Sequence, residues 1–344
     1  MIAARLHRYH DPLTVEQIAE PQITAPHDVI VRLGGAGLCR TDLHIQEGQW
    51  AEKSGVELPY VLGHENAGWV HEIGSAVTNV AVGDTVIVHP LVTCGLCRAC
   101  RAGDDVHCEN NLFPGISVDG GFAELLKTSA RAVVKLDPSL HPKDIAALAD
   151  AGLTAYHAVK KAVSILHPGT RAVVIGAGGL GHIGIQCLKA MTPAEIIVVD
   201  PSEKARALAG EIGADHTVGI DGKQVDTILE MTDGKGAEAI IDFVGEKGAI
   251  EDGVAMLRNA GSYFVIGYGE NINVPTIDII SREINFIGNL VGSYNDLAEL
   301  MTLTAQGKVT LHTSAYPLEA VNDAMADLDQ GRLQGRGILV SDAA

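Results

Sequence analysis

Short runs of alternating apolar and polar residues, broken by Gly, Pro and Asp, occupy residues 1 to about 90. Two clear examples are Asp28 to Leu33 and Asp84 to Val88. A period of two residues, with turn-forming residues between the runs, is typical of strands that bury one face. We therefore predict that the first part of the chain is a compact, mostly antiparallel β domain.

The pattern changes over residues 152–290, where apolar runs alternate with helical stretches. The apolar runs are Ala172 to Ile175, Ile196 to Val199, Ala239 to Phe243 and Tyr263 to Ile266. Ser202 to Gly213 is predicted to be a helix, because Ser202 can cap its first turn and Gly213 can end it. Strands that alternate with helices predict an α/β unit, a doubly wound parallel sheet of six strands with helices on both faces.

The tail of the chain is predicted to contain two helices and a last strand, near Asn295 to Ala305, Leu318 to Gln330 and Gly337 to Val340. These elements lie beyond the six-stranded unit, so we expect the tail to return to the first domain. A length of 344 residues also exceeds the usual size of a single core. The predicted organisation is a first domain of residues 1–151 and 291–344 and a second domain of residues 152–290.

Composition and charge exclude several classes of partner. The formal net charge of −18 disfavours a surface that binds a phosphate backbone, so we expect no nucleic acid partner. The first ten residues have no apolar core of a signal peptide, and no uncharged apolar stretch of about 18 residues occurs, so we expect no membrane partner. A cytoplasmic protein is the expectation that follows.

A glycine-rich turn, Gly176-Ala177-Gly178-Gly179-Leu180-Gly181, stands between a predicted strand and a predicted helix. Gly176 permits the tight turn, Gly178 leaves room for a pyrophosphate at the helix N-terminus, and Gly181 lets the helix approach the strand. A glycine turn alone is weak evidence, but the surrounding strand, helix and second strand complete the dinucleotide-binding pattern.

Asp200 ends that second strand and distinguishes between the two nicotinamide cofactors. A carboxylate at this place accepts hydrogen bonds from a ribose 2′-hydroxyl and repels a 2′-phosphate. The residues that follow, Pro201, Ser202 and Glu203, include no arginine. NAD is therefore the predicted cofactor, with a simple helix-capping role for Asp200 as the alternative.

Four of the six cysteines occur within one short segment, Cys94, Cys97, Cys100 and Cys108. Because the chain shows no export signal, crowded thiols favour metal binding over disulfides. Four thiolates satisfy tetrahedral Zn²⁺ and leave no position for a substrate, so we predict a structural zinc lobe at about residues 90–112. An iron–sulfur cluster is the alternative for the same ligands.

A second candidate metal site combines Cys39, His64, Glu65 and Asp150. Singly, each has an ordinary interpretation, since an isolated cysteine is usually a small buried apolar residue. Together they supply sulfur, nitrogen and oxygen ligands, a set that suits a zinc ion with one position open to substrate. We therefore predict two zinc ions per chain, one structural and one catalytic.

At this point the sequence resembles a family, the zinc-dependent medium-chain alcohol dehydrogenases, over essentially its whole length. The motifs that carry the resemblance are Cys39-x-Thr41-Asp42-x-x-His44, Gly63-His64-Glu65, the four cysteines, the glycine turn and Gly335-Arg336-Gly337. The resemblance implies a GroES-like β catalytic domain and a Rossmann domain, with the active site in the cleft between them. It also implies a homotetramer or homodimer.

The resemblance assigns roles around the catalytic zinc. Cys39 and His64 correspond to zinc ligands, and Asp150 takes the position of a third ligand that is more often cysteine. Aspartate in place of that cysteine resembles the secondary-alcohol branch of the family. Glu65 corresponds to a residue that approaches the zinc when its coordination changes. Asp42 corresponds to the carboxylate that orients His64.

Further positions match residues that handle substrate, proton and cofactor. Thr41 corresponds to the hydroxyl that contacts the substrate oxygen, and His44 to the solvent end of a proton relay. The matching cofactor and pocket positions are Arg40 and Arg336 at the pyrophosphate, Thr154, Asn289 and Val291 at the nicotinamide, and Trp50 and Leu290 in the substrate pocket. The family usually has a basic residue where Ala205 stands, so that adenosine contact stays unassigned.

These features together predict an NAD-dependent zinc alcohol dehydrogenase that interconverts alcohols with ketones or aldehydes. The apolar pocket positions favour secondary or bulky hydrophobic and aromatic alcohols. A polyol or sugar dehydrogenase on the same scaffold is the alternative within the enzymes. A non-catalytic regulator that binds NAD and zinc is an alternative of another class, and a zinc-ribbon nucleic acid module is disfavoured by the charge.

Overall fold

The computed structural model describes residues 1–333 and 335–341. Its internal contacts divide the chain into two compact units. Met1–Leu153, Ser293–Ala305 and Leu311–Ala344 form the first unit, and Thr154–Gly292 with Gln306–Thr310 form the second. Residues 334 and 342–344, which fall in the predicted first domain, lie outside the described residues.

The unit boundaries differ in detail from those predicted for the domains. The junctions fall two residues later, after Leu153 and after Gly292, and residues 306–310 belong to the second unit. Hydrogen bonds explain this last difference, because the side-chain amide of Gln186 donates to the carbonyl of Thr310 at 2.9 Å. In return, Oε1 of Gln186 accepts the backbone N–H of Thr310 at 3.0 Å.

The chain alternates strands and helices in its middle and is rich in strands at both ends. The strands are β1 (Ile2–Leu6), β2 (Thr14–Gln17), β3 (Asp28–Gly37), β4 (Tyr60–Val61), β5 (Glu65–Ile73), β6 (Thr85–Val88), β7 (Leu125–Ser129), β8 (Val133–Lys135), β9 (Arg171–Ile175), β10 (Glu195–Val199), β11 (His216–Val218), β12 (Ala237–Asp242), β13 (Leu257–Val265), β14 (Asn285–Gly288), β15 (Thr313–Pro317) and β16 (Arg336–Val340). The helices are α1 (Arg40–Gln46), α2 (Ala51–Ser54), α3 (Arg98–Ala102), α4 (Pro142–Ile145), α5 (Ala151–Ala162), α6 (Gly181–Met191), α7 (Glu203–Glu211), α8 (Gln224–Met231), α9 (Ala249–Met256), α10 (Thr276–Arg282), α11 (Tyr294–Ala305) and α12 (Val321–Asp329).

The first unit contains a small antiparallel sheet, β2-β1-β4, and a larger sheet that is mostly antiparallel, as predicted. The strand order of the larger sheet is β15-β16-β3-β5-β6-β8, with β7 also paired to β3. Strand β3 is buried over nearly its whole length because β5, β7 and β16 all pair with it. The last strand, β16, pairs with β3 through Ile338 opposite Gly37, which places the end of the chain in the larger sheet.

The sheet of the second unit is parallel throughout its described strands, in the order β11-β10-β9-β12-β13-β14. Strands β9 and β10 are apolar and buried on both faces, as expected where helices cover both sides of a parallel sheet. This arrangement confirms the predicted Rossmann-type fold with six strands.

Most predicted elements occur within a few residues of their predicted positions. Helix α7 begins after Ser202, whose hydroxyl accepts the N–H of Ala205, so Ser202 and not Asp200 is the cap. Strand β13 starts earlier than predicted, at Leu257. The predicted helix from Leu318 splits into a 3₁₀ turn, Leu318–Ala320, and α12.

No helix in the described part of the chain has the length and apolar character needed to cross a bilayer.

Candidate active site and metal centres

The first of two metal-binding groups in the described residues combines Cys39, His64, Glu65 and Asp150, whose ligand atoms all lie within 4.8 Å of one another. Strand pairing explains how the first three meet. Strands β3 and β5 are antiparallel neighbours, with Gly37 opposite Glu65. Cys39 comes just after the end of β3 and His64 just before the start of β5, so both stand at the same edge of the sheet.

His64 is buried between two carboxylates. Its Nδ1 lies 3.4 Å from Oδ1 of Asp42, and its Nε2 lies 3.5 Å from Oδ2 of Asp150. The Nδ1 contact is an ion pair without hydrogen-bond geometry, since both atoms lack a hydrogen-bond partner in the described chain. Burial opposes the charged ring, but the charge of Asp42 and the contact with Asp150 raise the pKa of His64 well above its usual value.

Asp42 connects this histidine to the start of helix α1. Its other oxygen, Oδ2, accepts the backbone N–H of Cys39 at 2.9 Å, which satisfies a free donor at the helix N-terminus. One fully buried carboxylate therefore fixes the backbone of Cys39 and faces Nδ1 of His64. This arrangement leaves Nε2 directed toward Asp150, where a metal ion would bind.

Glu65 is fully buried beside the same group. Its Oε1 accepts the N–H of Ala151 at 3.0 Å and a hydrogen bond from the guanidinium of Arg336. Burial raises the pKa of Glu65 to about 7, although Arg336 acts in the opposite direction. Its Oε2 has no hydrogen-bond partner in the described chain, and a Cβ atom on Gly37 would stand 2.1 Å from it. Glycine at position 37 is therefore required to make space for this carboxylate.

The chemistry of these donors fits a zinc ion. Cys39, His64 and Asp150 supply one sulfur, one nitrogen and one oxygen, which are three ligands of a tetrahedral site with a fourth position open. The buried and unpartnered Oε2 of Glu65 adds a further oxygen close by. A cation would offset the mutual repulsion of these buried acidic groups.

Thr41 lies in the first turn of α1 next to the metal-binding group. Its Oγ1 is 3.7 Å from Sγ of Cys39. His44 follows three residues later on the same helix, and residues with that spacing share a helix face. Both side chains are half-buried, so this helix face connects the metal-binding group to a partly exposed surface.

The second metal-binding group consists of Cys94, Cys97, Cys100 and Cys108, whose sulfur atoms also lie within 4.8 Å of one another. Backbone N–H groups of Leu96 and Cys97 donate to Sγ of Cys94 at 3.4 Å each and lower its pKa to about 6. Those donors stabilise a thiolate, which is the form that binds zinc. Helix α3 in this lobe has no buried residue, so a metal ion bound by the four cysteines would take the place of an apolar core here.

The glycine turn after β9 has the geometry that a dinucleotide site needs. Gly176 adopts φ +87°, a conformation that disfavours other residues. A Cβ on Gly181 would stand 1.9 Å from the carbonyl oxygen of Gly176, so only glycine allows α6 to begin here. Gly178 has open space around it, Gly179 is half-buried, and Leu180 is the residue from which α6 starts.

Asp200 lies at the end of β10 and bonds to this turn. Its Oδ2 accepts the backbone N–H of Ala177 at 2.8 Å, and its Oδ1 accepts that of Ser202 at 2.8 Å. Arg206 donates to the carbonyl oxygen of Asp200 at 2.7 Å. The carboxylate therefore lies between the glycine turn and the start of α7. The glycine turn leads into the N-terminus of α6, which is where the pyrophosphate of a dinucleotide would bind.

Two further predicted positions in the first unit, Arg40 and Trp50, differ in how exposed they are. Arg40 is the exposed first residue of α1. Trp50 is partly buried against the apolar core cluster of the first unit, so its core-packing role is observed and its pocket role stays a prediction.

The predicted positions in the second unit lie on α5 and in the segment that follows β14. Thr154 is buried in α5. The side-chain amide of Asn289 donates to the carbonyls of Ile287 and Val265, which fixes the end of β14. Val291 adopts φ +46°, which is strained for a β-branched residue, and its neighbour Leu290 is 58% exposed.

Two features of the site were not predicted from the sequence. Phe113 lies edge-on to His64, with 6.0 Å between the ring centroids, and belongs to no motif. Arg336 was assigned to a pyrophosphate by resemblance alone, whereas its buried guanidinium contacts Glu65 in the structure. The signal for this contact is the pairing of β16 with β3, which the sequence pattern does not specify.

Comparison with known proteins identifies the class of this chain. Family models of the alcohol dehydrogenase GroES-like domain and of the zinc-binding dehydrogenases match residues 25–138 and 179–306. An NAD-dependent alcohol dehydrogenase of Sulfolobus acidocaldarius is 36% identical over 98% of this chain and 99% of that protein. A D-arabinose 1-dehydrogenase (NADP(+)) of Saccharolobus solfataricus is also 36% identical, over 98% of this chain and 97% of its own. The crystal structure of an alcohol dehydrogenase from Aeropyrum pernix superposes with a TM-score of 0.95 at 45% identity, over 99% of this chain and 100% of that one.

The fold and the two metal-binding groups therefore define a zinc-dependent medium-chain dehydrogenase. This chain belongs to the zinc-dependent alcohol dehydrogenase family. It is an oxidoreductase that uses NAD and zinc. The first metal-binding group, which includes Cys39, suits a catalytic zinc ion, and the second, which consists of four cysteines, suits a structural one.

Proposed function

We propose that this enzyme oxidises secondary and other bulky, hydrophobic or aromatic alcohols to ketones or aldehydes, reversibly and with NAD. The observation that carries the proposal is the aromatic contact beside the metal-binding group, where the ring centroids of Phe113 and His64 are 6.0 Å apart. Phe113 and Trp50 are both partly exposed side chains that pack against the apolar core cluster of the first unit. Such side chains favour a hydrocarbon substituent and offer few hydrogen bonds to a polyhydroxylated substrate.

Each residue around the metal-binding group has a separate role in the proposed reaction. Bound zinc would polarise the alcohol oxygen and bound NAD would accept the hydride. Oγ1 of Thr41 would accept the alcohol proton while the Thr41 hydroxyl passes its own proton on toward His44, which would release a proton to solvent. Asp42 would hold the ring of His64 so that Nε2 stays directed at the metal position.

A sugar or polyol dehydrogenase is the second candidate. The observation in its favour is the 36% identity to a D-arabinose 1-dehydrogenase over almost the whole chain. A sugar substrate requires several polar side chains near the reacting carbon, because each hydroxyl must exchange hydrogen bonds with water for bonds with the protein. The aromatic edge of Phe113 against His64 supports the hydrophobic alternative.

A substrate panel tests this proposal. Initial rates are measured with NAD for 2-butanol, 1-phenylethanol, ethanol, sorbitol and D-arabinose. We expect kcat/KM for 1-phenylethanol to exceed that for D-arabinose by about tenfold to a hundredfold, since burial of an aromatic ring contributes about 1.5–3 kcal/mol. A higher kcat/KM for D-arabinose would establish the second candidate, and no turnover with any substrate would favour a regulator.

Cofactor choice gives a second prediction. In the Asp200→Gly, Pro201→Arg variant, we expect the ratio of kcat/KM for NAD to that for NADP to fall by at least about tenfold, because a charged hydrogen bond is lost and phosphate repulsion is removed. The variant also loses the bond from Ala177, so turnover with both cofactors should decrease.

Asp221→Gly provides a matched control for this variant. Asp221 likewise accepts the N–H of the second residue after it, Lys223, at 2.9 Å. The control should keep the NAD preference of the parent enzyme. An unchanged preference in the Asp200 variant would exclude Asp200 from cofactor discrimination.

The assembly and location of the enzyme stay predictions from the sequence. We expect a homotetramer or a homodimer. We also expect a cytoplasmic location. The predicted partners besides other copies of the chain are small-molecule alcohols, ketones or aldehydes.

A further inference from the structure

A buried carboxylate stands at the end of β12 and takes no part in the roles described above. Asp242 is fully buried, and its Oδ1 accepts the backbone N–H groups of Val244 at 2.8 Å and Gly245 at 3.0 Å. Its Oδ2 accepts the hydroxyl of Tyr263 at 2.8 Å. Because burial of an unpaired carboxylate is costly, these bonds hold the segment after β12 in one conformation.

The segment after β13 is fixed to the same residue. The carbonyl oxygen of Asp242 accepts the N–H groups of Ile266 at 3.1 Å and Gly267 at 2.9 Å. The two backbones approach so closely that a Cβ on Gly245 would stand 2.3 Å from the carbonyl carbon of Gly267. The ends of β12 and β13 therefore form one tightly packed structure around Asp242.

The packed ends of β12 and β13 lie next to the glycine turn, at the edge of the sheet where a dinucleotide would bind. Strands β9 and β12 are neighbours at the centre, and the strand order reverses between them. In open parallel sheets, ligands bind outside the carboxyl ends of the strands at such a reversal. A Cβ on Gly176 would stand only 2.6 Å from Cγ2 of Val244, so the segment after β12 directly faces the glycine turn.

The strand order also indicates which part of the sheet each half of NAD would contact, because β10 and β12 lie on opposite sides of β9. Asp200, which faces the adenosine ribose in this proposal, lies at the end of β10 on one side of β9. A dinucleotide whose pyrophosphate lies at the glycine turn must then extend its other half over β12. The segment held by Asp242 therefore lies under the nicotinamide half.

We propose that Asp242 and Tyr263 are positioning residues that hold residues 243–248 in the conformation that binds the nicotinamide half of NAD. The inference rests on the NAD dependence stated above and on no property of the alcohol substrate. Tyr263 acts through Asp242 because its hydroxyl lies 2.8 Å from Oδ2 of Asp242, closer than the 3.3 Å to its other acceptor, the carbonyl oxygen of Ala249. Its ring packs against α9 near Gly253, and removal of the hydroxyl alone leaves that packing in place.

The test is the Tyr263→Phe variant of the full-length enzyme. Dissociation constants for NAD and for AMP are measured by calorimetry, with KM for NAD, kcat and the melting temperature. We expect the dissociation constant and KM for NAD to rise about tenfold, since a hydrogen bond to a buried charge is lost. AMP, which occupies only the adenosine half, should bind as tightly as it does to the parent.

Control variants separate positioning from general stability. Tyr316→Phe removes a hydroxyl that donates to Asp327 at 2.7 Å in the first unit, and it should leave NAD affinity unchanged. Asp242→Asn keeps an oxygen that accepts from Val244 and Gly245, so it should retain far more NAD affinity than Asp242→Ala. Asp242→Leu fills a similar volume but accepts no hydrogen bond, so it should bind NAD as weakly as Asp242→Ala, whereas a residue that only fills space would be replaced equally well by Leu and by Asn.

Two results would overturn the proposal. One is an unchanged affinity of Tyr263→Phe for NAD, and the other is an equal loss of affinity for NAD and AMP. Failure of the parent enzyme to bind NAD at all would instead contradict the dehydrogenase function itself, so the two failures are distinguishable.

Discussion

Replacement of Cys39 by alanine is expected to remove one of two zinc ions per chain and to lower kcat/KM for alcohol oxidation by at least about a thousandfold, because a bound metal supplies several kcal/mol of charge stabilisation in the transition state. The sulfur of Cys39 would be one of three zinc ligands that leave a position open for substrate. The measurement is zinc content by atomic emission together with initial rates at saturating NAD.

Cys187→Ala is the matched control for this variant. Cys187 is also fully buried, but it lies on α6 and belongs to neither metal-binding group. Its replacement should preserve both zinc ions and most of the turnover. Loss of a zinc ion from Cys39→Ala with turnover unchanged would mean that this metal-binding group is not the catalytic one.

Replacement of Thr41 by alanine is expected to lower kcat by about a hundredfold to ten-thousandfold, the range that a positioned proton-transfer group contributes. Thr41 contacts the sulfur of Cys39 but has no place in either metal-binding group. The variant should therefore keep both zinc ions and bind NAD as the parent does. Stopped-flow rates of NADH formation measure the loss directly.

Thr41→Ser restores the hydroxyl on a smaller side chain and should recover most of the lost turnover. A serine variant as slow as the alanine variant would indicate that the threonine methyl group, and not the hydroxyl, matters. Near-parental turnover in Thr41→Ala would refute a proton path through this residue.

The sequence predicts local features of this fold well because each depends on neighbouring residues. The strand before Gly176, the helix after Leu180 and the cap at Ser202 follow from periodicity and turn chemistry within a few residues. The four cysteines from Cys94 to Cys108 are close in the chain, so their grouping was predictable from spacing alone.

Features that depend on strand pairing across long distances were harder to predict. Cys39 and His64 meet because β3 pairs with β5. Their ligand types indicated a shared zinc site, but the sequence pattern did not indicate the strand pairing that brings them together. Glu65 and Arg336 are 271 residues apart, and their contact requires β16 to pair with β3. A pattern of apolar residues indicates which face of a strand is buried but not which strand lies beside it.

The central claim is that a zinc ion held by Cys39, His64 and Asp150 is the catalytic electrophile. It is tested most directly by titration of the parent enzyme with a chelator, with zinc content and alcohol oxidation measured on the same samples. We predict that turnover falls in proportion to the loss of one zinc ion per chain and returns when zinc is added back. Full turnover from enzyme with no metal would contradict the account.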